Sequence, residues 1–444
     1  MRRLPFTYIQ IIAAGFFLII MIGALLLSLP VSSRDGTFTP AVDAIFTAAS
    51  ATCVTGLVVY DTYTHWSLFG QLVILILIQT GGLGFMSIAA LISMAFHRKI
   101  GLRERELMRE AANTAHLGGV VRLTRNLLLG TLIFEGLGAV LLSLRFCPEM
   151  GLIKGIYFGI FHSISAFCNA GFDLMGGYGQ YSSFTGYRDD FLINVVIMSL
   201  IIIGGIGFFV WEDIRKNRLT FKNYRLHTKI VLSATAFLIV FPAVLVFFVE
   251  HNGVLKGMDG PAAFMASVFQ SVTARTAGFN TIDTGALKSP TLLIVMALMF
   301  IGGSPGSTAG GIKTSTFAVI LISVLSVIRS RNSTYAFRRR FEDGVLKRAC
   351  SIFFIYLGIV FISTVILAGI QGFALEKILF EVFSAIGTVG LTTGITPQLL
   401  PFSRILVACL MYFGRVGVLT MAFALVKTPV NAPVQYPSEK IMIG

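Results

Sequence analysis

Four short stretches of this 444-residue chain repeat one pattern: a small hydroxyl residue, Ala, a short run, then Gly and a bulky apolar residue. They are Ser50-Ala51-Thr52-Cys53-Val54-Thr55-Gly56-Leu57, Ser165-Ala166-Phe167-Cys168-Asn169-Ala170-Gly171-Phe172, Thr273-Ala274-Arg275-Thr276-Ala277-Gly278-Phe279 and Ser384-Ala385-Ile386-Gly387-Thr388-Val389-Gly390-Leu391; the third is one residue shorter. The glycines at 56, 171, 278 and 390 are 115, 107 and 112 residues apart, the near-equal spacing of an internal repeat. Such loops can do one kind of chemistry with backbone alone. Rings of carbonyls can replace the hydration shell of a cation. Glycine suits the key position because it accepts backbone angles closed to other residues and lets the chain approach an ion. Thr388-Val389-Gly390 matches the start of the potassium-filter sequence T-V-G-Y-G, and the other three are looser. The candidate potassium ligands are therefore Val54, Thr55 and Gly56; Asn169, Ala170 and Gly171; Thr276, Ala277 and Gly278; and Thr388, Val389 and Gly390.

A second constellation follows the loops. Glycine clusters recur at Gly81-Gly82-Leu83-Gly84, Gly204-Gly205-Ile206-Gly207, Gly302-Gly303-Ser304 and Phe413-Gly414-Arg415-Val416-Gly417. Glycines in membrane helices serve close packing, but four clusters behind four similar loops argue for a repeated role. The third continues as Pro305, Gly306, Ser307, Thr308, Ala309, Gly310 and Gly311, which cannot be a regular helix. This flexible polar stretch, with Lys313, is the candidate gate. It superficially resembles the phosphate loop G-x-x-x-x-G-K-[ST], but Ile312 separates Gly311 from Lys313 and no soluble strand precedes it. Arg415 stands where other units keep glycine. An ionisable residue at membrane depth is functional by default, so Arg415 is expected to face the pore, bond gate-loop carbonyls and act as a barrier to cations. Arg275, in the third loop, is expected to brace that loop from behind. Glu135 reads as an interhelical partner of a polar group, with a coupling or proton site as the alternative.

Elements of a particular kind must position these residues. The chain is 55% hydrophobic and 13% charged, well under the charge of a soluble domain. Apolar runs long enough to span a membrane occur at about 8–30, 68–96, 126–146, 191–211, 230–249, 290–328, 349–370 and 403–426. Four shorter stretches, about 41–52, 155–167, 261–274 and 376–387, suit half-helices that enter and turn back. The expected fold is an all-α polytopic membrane protein: eight transmembrane helices and four re-entrant pore half-helices in four pseudo-symmetric helix–pore-loop–helix repeats. One pore domain fills the chain, with repeats near 8–97, 119–217, 226–330 and 347–428 and a C-terminal cytoplasmic tail at 429–444. The first span is expected to stay attached rather than act as a signal peptide.

The net charge of +14 does not mean nucleic acid. Of 35 Lys and Arg, 24 fall at the N-terminus, in 97–125, 212–229 and 329–348, and in the tail, which makes that side and both termini cytoplasmic. All four half-helices then dip in from outside, with their partially negative C-terminal ends toward the pore. The five cysteines read as buried small residues, and the six histidines fall mostly near loops. No H-E-x-x-H or paired membrane aspartates point to an intramembrane enzyme. A sodium- or proton-coupled symporter is the alternative within transport. Inverted repeats and paired broken helices would mark it; here the repeats share one orientation and one full span is clearly broken.

The loops, glycine clusters, gate stretch and the tail Tyr436-Pro437-Ser438-Glu439-Lys440-Ile441-Met442-Ile443-Gly444 together resemble the Trk/Ktr/HKT superfamily of potassium transporters, most closely its Ktr membrane subunits, over essentially the whole chain. The resemblance implies a filter glycine at Gly56, Gly171, Gly278 and Gly390. Sodium-preferring relatives often carry Ser at the first, so Gly56 implies potassium selectivity. It implies an intramembrane gate at 302–314 with a matching arginine at Arg415. It further implies a homodimer in the cell membrane that docks on a cytosolic ring of nucleotide-binding regulatory subunits, met here by basic loops such as Arg338-Arg339-Arg340. Sodium dependence occurs among Ktr relatives, and no organic cofactor is implied on this chain.

Overall fold

The computed structural model describes residues 8–84, 120–218, 220–330 and 333–418, together with 437 and 439. Four units follow one another, each with a long helix, a half-helix, a glycine loop and an inner helix. The long helices are Tyr8–Ser28, Val120–Met150, Leu226–Glu250 and Val345–Ile370. Among the described residues these four contain the helices apolar and long enough to cross a membrane. Their outward faces expose Leu25, Leu132, Phe248 and Phe361, as lipid-facing surfaces do.

The half-helices are Ala41–Thr52, Leu152–Phe167, Gly260–Thr273 and Leu375–Gly387. Each buries most of its second half, including small residues such as Ala48, Ala166, Ala266 and Ala385. Small side chains let the helix end approach its neighbours closely. The polar tips of the half-helices therefore lie at the centre of the molecule, enclosed by the apolar core of all four units.

The inner helices correct the sequence reading. They are Leu68–Leu83, Phe191–Ile206, Ser289–Phe300 and Pro401–Val416. At 12 to 16 residues they are roughly 18–24 Å long, short of the apolar thickness of a bilayer. Three of them stop at the last glycine of their cluster: Gly84, Gly207 and Gly417 have φ of 79°, 100° and 92°, angles closed to a right-handed helix. After Gly207 the chain resumes as Phe208–Asn217, bent by 93°. Among the described residues three inner helices thus end at a positive-φ glycine, and in the second unit a further helix follows it, where sequence reading placed a break clearly in the third. Periodicity missed these ends because the flanking residues are apolar on both sides of the glycine. The windows 85–96 and 419–426 lie outside the described residues.

The cysteines also divide. Cys53 and Cys168 are buried, Cys147 and Cys350 are half-buried, and Cys409 is exposed. An apolar helix puts some of its apolar residues on the lipid side.

Candidate functional site

The four glycine loops share one backbone form. Two residues before each glycine, Val54, Asn169, Thr276 and Thr388 all have positive φ, between 51° and 76°. These non-glycine residues are held in a costly conformation, and Gly56, Gly171, Gly278 and Gly390 follow with positive φ as well. The N–H just before each glycine is satisfied by the carbonyl of the hydroxyl residue: Thr55 to Ser50 at 2.8 Å, Ala170 to Ser165 at 2.8 Å, Ala277 to Thr273 at 2.9 Å and Val389 to Ser384 at 2.8 Å. The bond spans five residues in three loops and four in the third, so the missing residue lies inside this turn. The repeated hydroxyl also has a task. Ser50 and Ser384 accept the N–H of Gly56 and Gly390, each at 3.1 Å. Ser165 and Thr273 donate to the carbonyls of Phe172 and Phe279 at 2.7 and 2.6 Å.

The loops touch in a closed cycle. A Cβ added to Gly56 would stand 2.5 Å from the Ala170 carbonyl oxygen, and one on Gly171 would stand 2.7 Å from that of Ala277. One on Gly278 would stand 2.4 Å from Val389 O, and one on Gly390 would stand 2.1 Å from Thr55 O. Each glycine therefore abuts the carbonyl that precedes the glycine of the next unit, and the fourth returns to the first. All twelve residues singled out in the loops are buried, and eight of them, the four glycines and the four residues before them, make this cycle. Asn169 and Thr276 also meet across it, amide to hydroxyl, at 3.2 Å.

The leading glycine of three clusters sets how close an inner helix comes. A Cβ on Gly81, Gly204 or Gly414 would collide with the carbonyl of Thr52, Phe167 or Ile386 in its own half-helix. Packing, the plainer reading of these clusters, is therefore part of their role, and the terminal glycine adds the break.

The stretch from Gly302 to Lys313 is well tied, contrary to the expectation of a flexible loop. Gly302 N–H bonds Ile312 O at 2.9 Å, and Thr314 returns its N–H to Gly303 O at 3.0 Å. Ser304 and Thr308 donate N–H to Gly205 and Gly204, while Phe208 donates to Gly306 O at 2.8 Å. Thr308 Oγ1 reaches the last carbonyl of the second half-helix, Phe167 O, at 3.1 Å. Ser307 Oγ donates to Ser304 O at 2.7 Å. Lys313 Nζ folds back on Ala309 O at 2.7 Å. Gly310 lies against Thr388, with room for no Cβ beside its hydroxyl. Pro305 and Gly306 face Gly207 and Phe209. The stretch is thus mounted on the broken inner helix of the second unit, a partner that sequence reading did not foresee.

Arg415 is the analogue of Gly82, Gly205 and Gly303 within its cluster. Its guanidinium donates to Thr308 O in the interrupted stretch, to Gly81 O, and to Gly82 O at 2.9 Å. Gly81 and Gly82 are the C-terminal carbonyls of the first inner helix, where a cation is favoured. Arg275 sends Nη2 3.2 Å to Thr314 Oγ1 at the far end of the same stretch. Glu135 accepts the Gln79 amide at 3.0 Å and lies 3.8 Å from the thiol of Cys168, three residues before Gly171.

Sequence reading missed three groups. Asp43, in the first half-helix, pairs with Arg404 of the fourth inner helix and accepts Tyr60 OH at 2.8 Å. His162 and Glu381 are fully buried in the second and fourth half-helices. His162 is the exception among the described histidines, since His65, His227 and His251 lie at helix ends; His97 and His116 lie outside the described residues. The signal was present, since a titratable residue inside an apolar half-helix calls for a partner.

Glycine-hinged hairpins around a central cycle of polar loops define a class: helical membrane proteins of the cation-transport type. The profile of the family described as TrkH, cation transport protein, matches residues 7–436. The chain is 43% identical over 441 residues to the Ktr system potassium uptake protein B of Bacillus subtilis (strain 168), covering 99% of this chain and 97% of that one. It is 41% identical over 443 residues to the potassium/sodium uptake protein NtpJ of Enterococcus hirae, covering 98% and 97%. The crystal structure of the potassium transporter TrkH from Vibrio parahaemolyticus shares the fold, with a TM-score of 0.73 and 18% identity over 93% of this chain and 85% of that chain. The chain belongs to the TrkH family of cation transport proteins.

Proposed function

We propose that this chain takes up potassium across the cell membrane through a filter formed by residues 54–56, 169–171, 276–278 and 388–390. The observation that carries the reading is the closed cycle in which each loop glycine abuts the carbonyl before the next glycine. Four adjacent carbonyls of Thr55, Ala170, Ala277 and Val389, held by positive-φ turns, are a coordination set for a dehydrated cation. Potassium is the cargo, and the names of the relatives from B. subtilis and E. hirae support it.

In this reading eight spans and four re-entrant half-helices occupy a single pore domain, with repeats near 8–97, 119–217, 226–330 and 347–428. Both termini and the tail 429–444 are cytoplasmic. The stretch 302–313 and Arg415 form the gate: a cationic side chain bonded to a loop across the ion path opposes conduction until the loop moves. A homodimer and a cytosolic nucleotide-binding ring are the partners, the latter supported by the word "system" in the name of the B. subtilis relative.

A second reading, sodium-coupled symport, is favoured by the inner-helix breaks at Gly84, Gly207 and Gly417 and by the potassium/sodium name of the E. hirae relative. Rubidium uptake into proteoliposomes tests both, with and without a sodium gradient and the regulatory subunit. Channel-type conduction predicts uptake driven by membrane voltage alone. An absolute requirement for a sodium gradient supports symport, and absence of any potassium or rubidium flux in folded protein overturns the proposed function.

A further inference from the structure

Three residues before each repeated hydroxyl, on the same face of its half-helix, stand Thr47, His162, Gln270 and Glu381. All four are buried, with at most 2% exposure. Helix interiors next to a filter have no use for such side chains unless they bond something. Two of them bond the chain that leaves the glycine.

Glu381 holds the fourth loop. One carboxylate oxygen accepts Thr392 Oγ1 at 2.8 Å, and the other accepts Thr396 Oγ1. Thr392 is two residues past Gly390. His162 holds the second loop. Its Nε2 is 3.0 Å from the N–H of Leu174, three residues past Gly171, and its Nδ1 is 2.7 Å from Phe158 O. An N–H cannot donate to a protonated ring nitrogen, so Nε2 is the acceptor and Nδ1 carries the proton. The first unit moves the brace one turn earlier, where Asp43 accepts Tyr60 OH, four residues past Gly56. In the third unit neither amide atom of Gln270 has a partner among the described residues. That loop is held instead from the second unit, by Phe184 N–H to Asn280 O at 3.0 Å and Asn280 N–H to Ser183 Oγ at 3.3 Å.

We propose that Glu381 and His162 are positioning residues for ion selectivity: from behind the fourth and second loops they fix the outer end of each turn and so the spacing of the carbonyl cycle. The inference rests on the filter reading above. It differs from simple packing in a definite way. A packing residue supports the amount of folded protein, whereas a positioning residue sets the ratio of potassium to sodium accepted. Discrimination between two ions of equal charge depends on the number and placement of the carbonyls.

The test is rubidium uptake into proteoliposomes with sodium as competitor, at matched amounts of folded, monodisperse protein. Thr392→Val and Thr396→Val keep shape and remove the donors to Glu381; Glu381→Leu removes the acceptor; Glu381→Gln keeps its length and one acceptor oxygen. Leaving a buried hydrogen-bonding group without its partner is worth about tenfold in a linked equilibrium. The expected result is a fall in potassium-over-sodium preference of roughly that size for Glu381→Leu and Thr392→Val, with Glu381→Gln recovering most of it. If Glu381→Leu does not fold, the two Thr→Val variants carry the test. His162→Leu against His162→Gln asks the same of the second loop. Gly390→Ser serves as the reference for the filter itself. A changed preference in Gly390→Ser with none in the Glu381 and threonine variants overturns the positioning role alone. No change in any of them overturns the filter reading and this inference with it.

Discussion

At Gly390 an added methyl would stand 2.1 Å from the Thr55 carbonyl oxygen and 3.1 Å from Gly56 Cα, on a backbone with φ of 93°. Both strain and overlap fall on the cycle itself. Gly390→Ala is expected to lower rubidium uptake at least about tenfold while much of the protein still inserts and folds, since the damage is local. Gly136 has open space around it in a long helix, so Gly136→Ala is expected to leave uptake unchanged and to be neutral or slightly stabilising. Arg415 invites a different comparison. Its three carbonyl partners lie on two separate segments, which a planar fork can bridge and a lysine cannot. Arg415→Ala is expected to change transport rate or ion dependence while the protein assembles, and Arg415→Lys to restore the charge but only part of the control. Transport kinetics identical to wild type in a well-expressed Arg415→Ala protein would remove it from the gate.

The element that departs most from sequence reading is the inner helix. Gly207 turns the chain by 93° and brings Phe208 N–H to Gly306 O. A side chain at 207 would meet Pro305 O at 2.7 Å with φ of 100°. Gly207→Ala is therefore expected to cost about 1–3 kcal/mol from backbone conformation alone, plus displacement of the stretch 302–313. A lower melting temperature in detergent together with altered transport would show both. A changed melting temperature with wild-type transport would separate the bend from the gate. The result matters because the interrupted stretch belongs to the third unit by sequence but is bonded to the second, and Arg415 brings in the first and fourth. Any movement of the stretch is then felt by all four units.

Across the whole molecule, the cycle must close between the first unit and the fourth, which are far apart in sequence. Asp43 and Arg404 form that closure outside the loops, with Tyr60 OH on the same carboxylate and Pro397 O on the same guanidinium at 3.0 Å. Asp43 is buried and Arg404 half-buried. Removing one partner leaves a charge uncompensated, at a cost of about 3–5 kcal/mol. Asp43→Asn and Arg404→Gln are each expected to destabilise the detergent-solubilised protein strongly. The double variant is expected to be less destabilised than the sum of the two, a coupling read from a double-mutant cycle of thermal unfolding. Additive effects would mean that the pair does not close the ring.

From residue order alone came the four loops, their glycines, the shortened third loop, the interrupted stretch and Arg415 as the odd member of its cluster. These are local features: a glycine, a hydroxyl six or seven residues before a bulky side chain, or an apolar run is visible without knowing its neighbours in space. The membrane class follows from the same one-dimensional signals, because lipid demands long apolar segments whatever the packing. Tertiary structure decided the rest. Which carbonyl each glycine meets depends on loops a hundred or more residues away. Sequence reading expects Arg415 to bond carbonyls of the interrupted stretch, as it does at Thr308, but its partners Gly81 and Gly82 are backbone atoms of another unit, whose identity no side-chain pattern encodes. The helix ends at Gly84 and Gly417 were hidden because glycine permits either a straight close-packed helix or a positive-φ turn. His162 and Glu381 stood in the sequence as isolated polar residues, and only the folded loops supply the donors that give them a task.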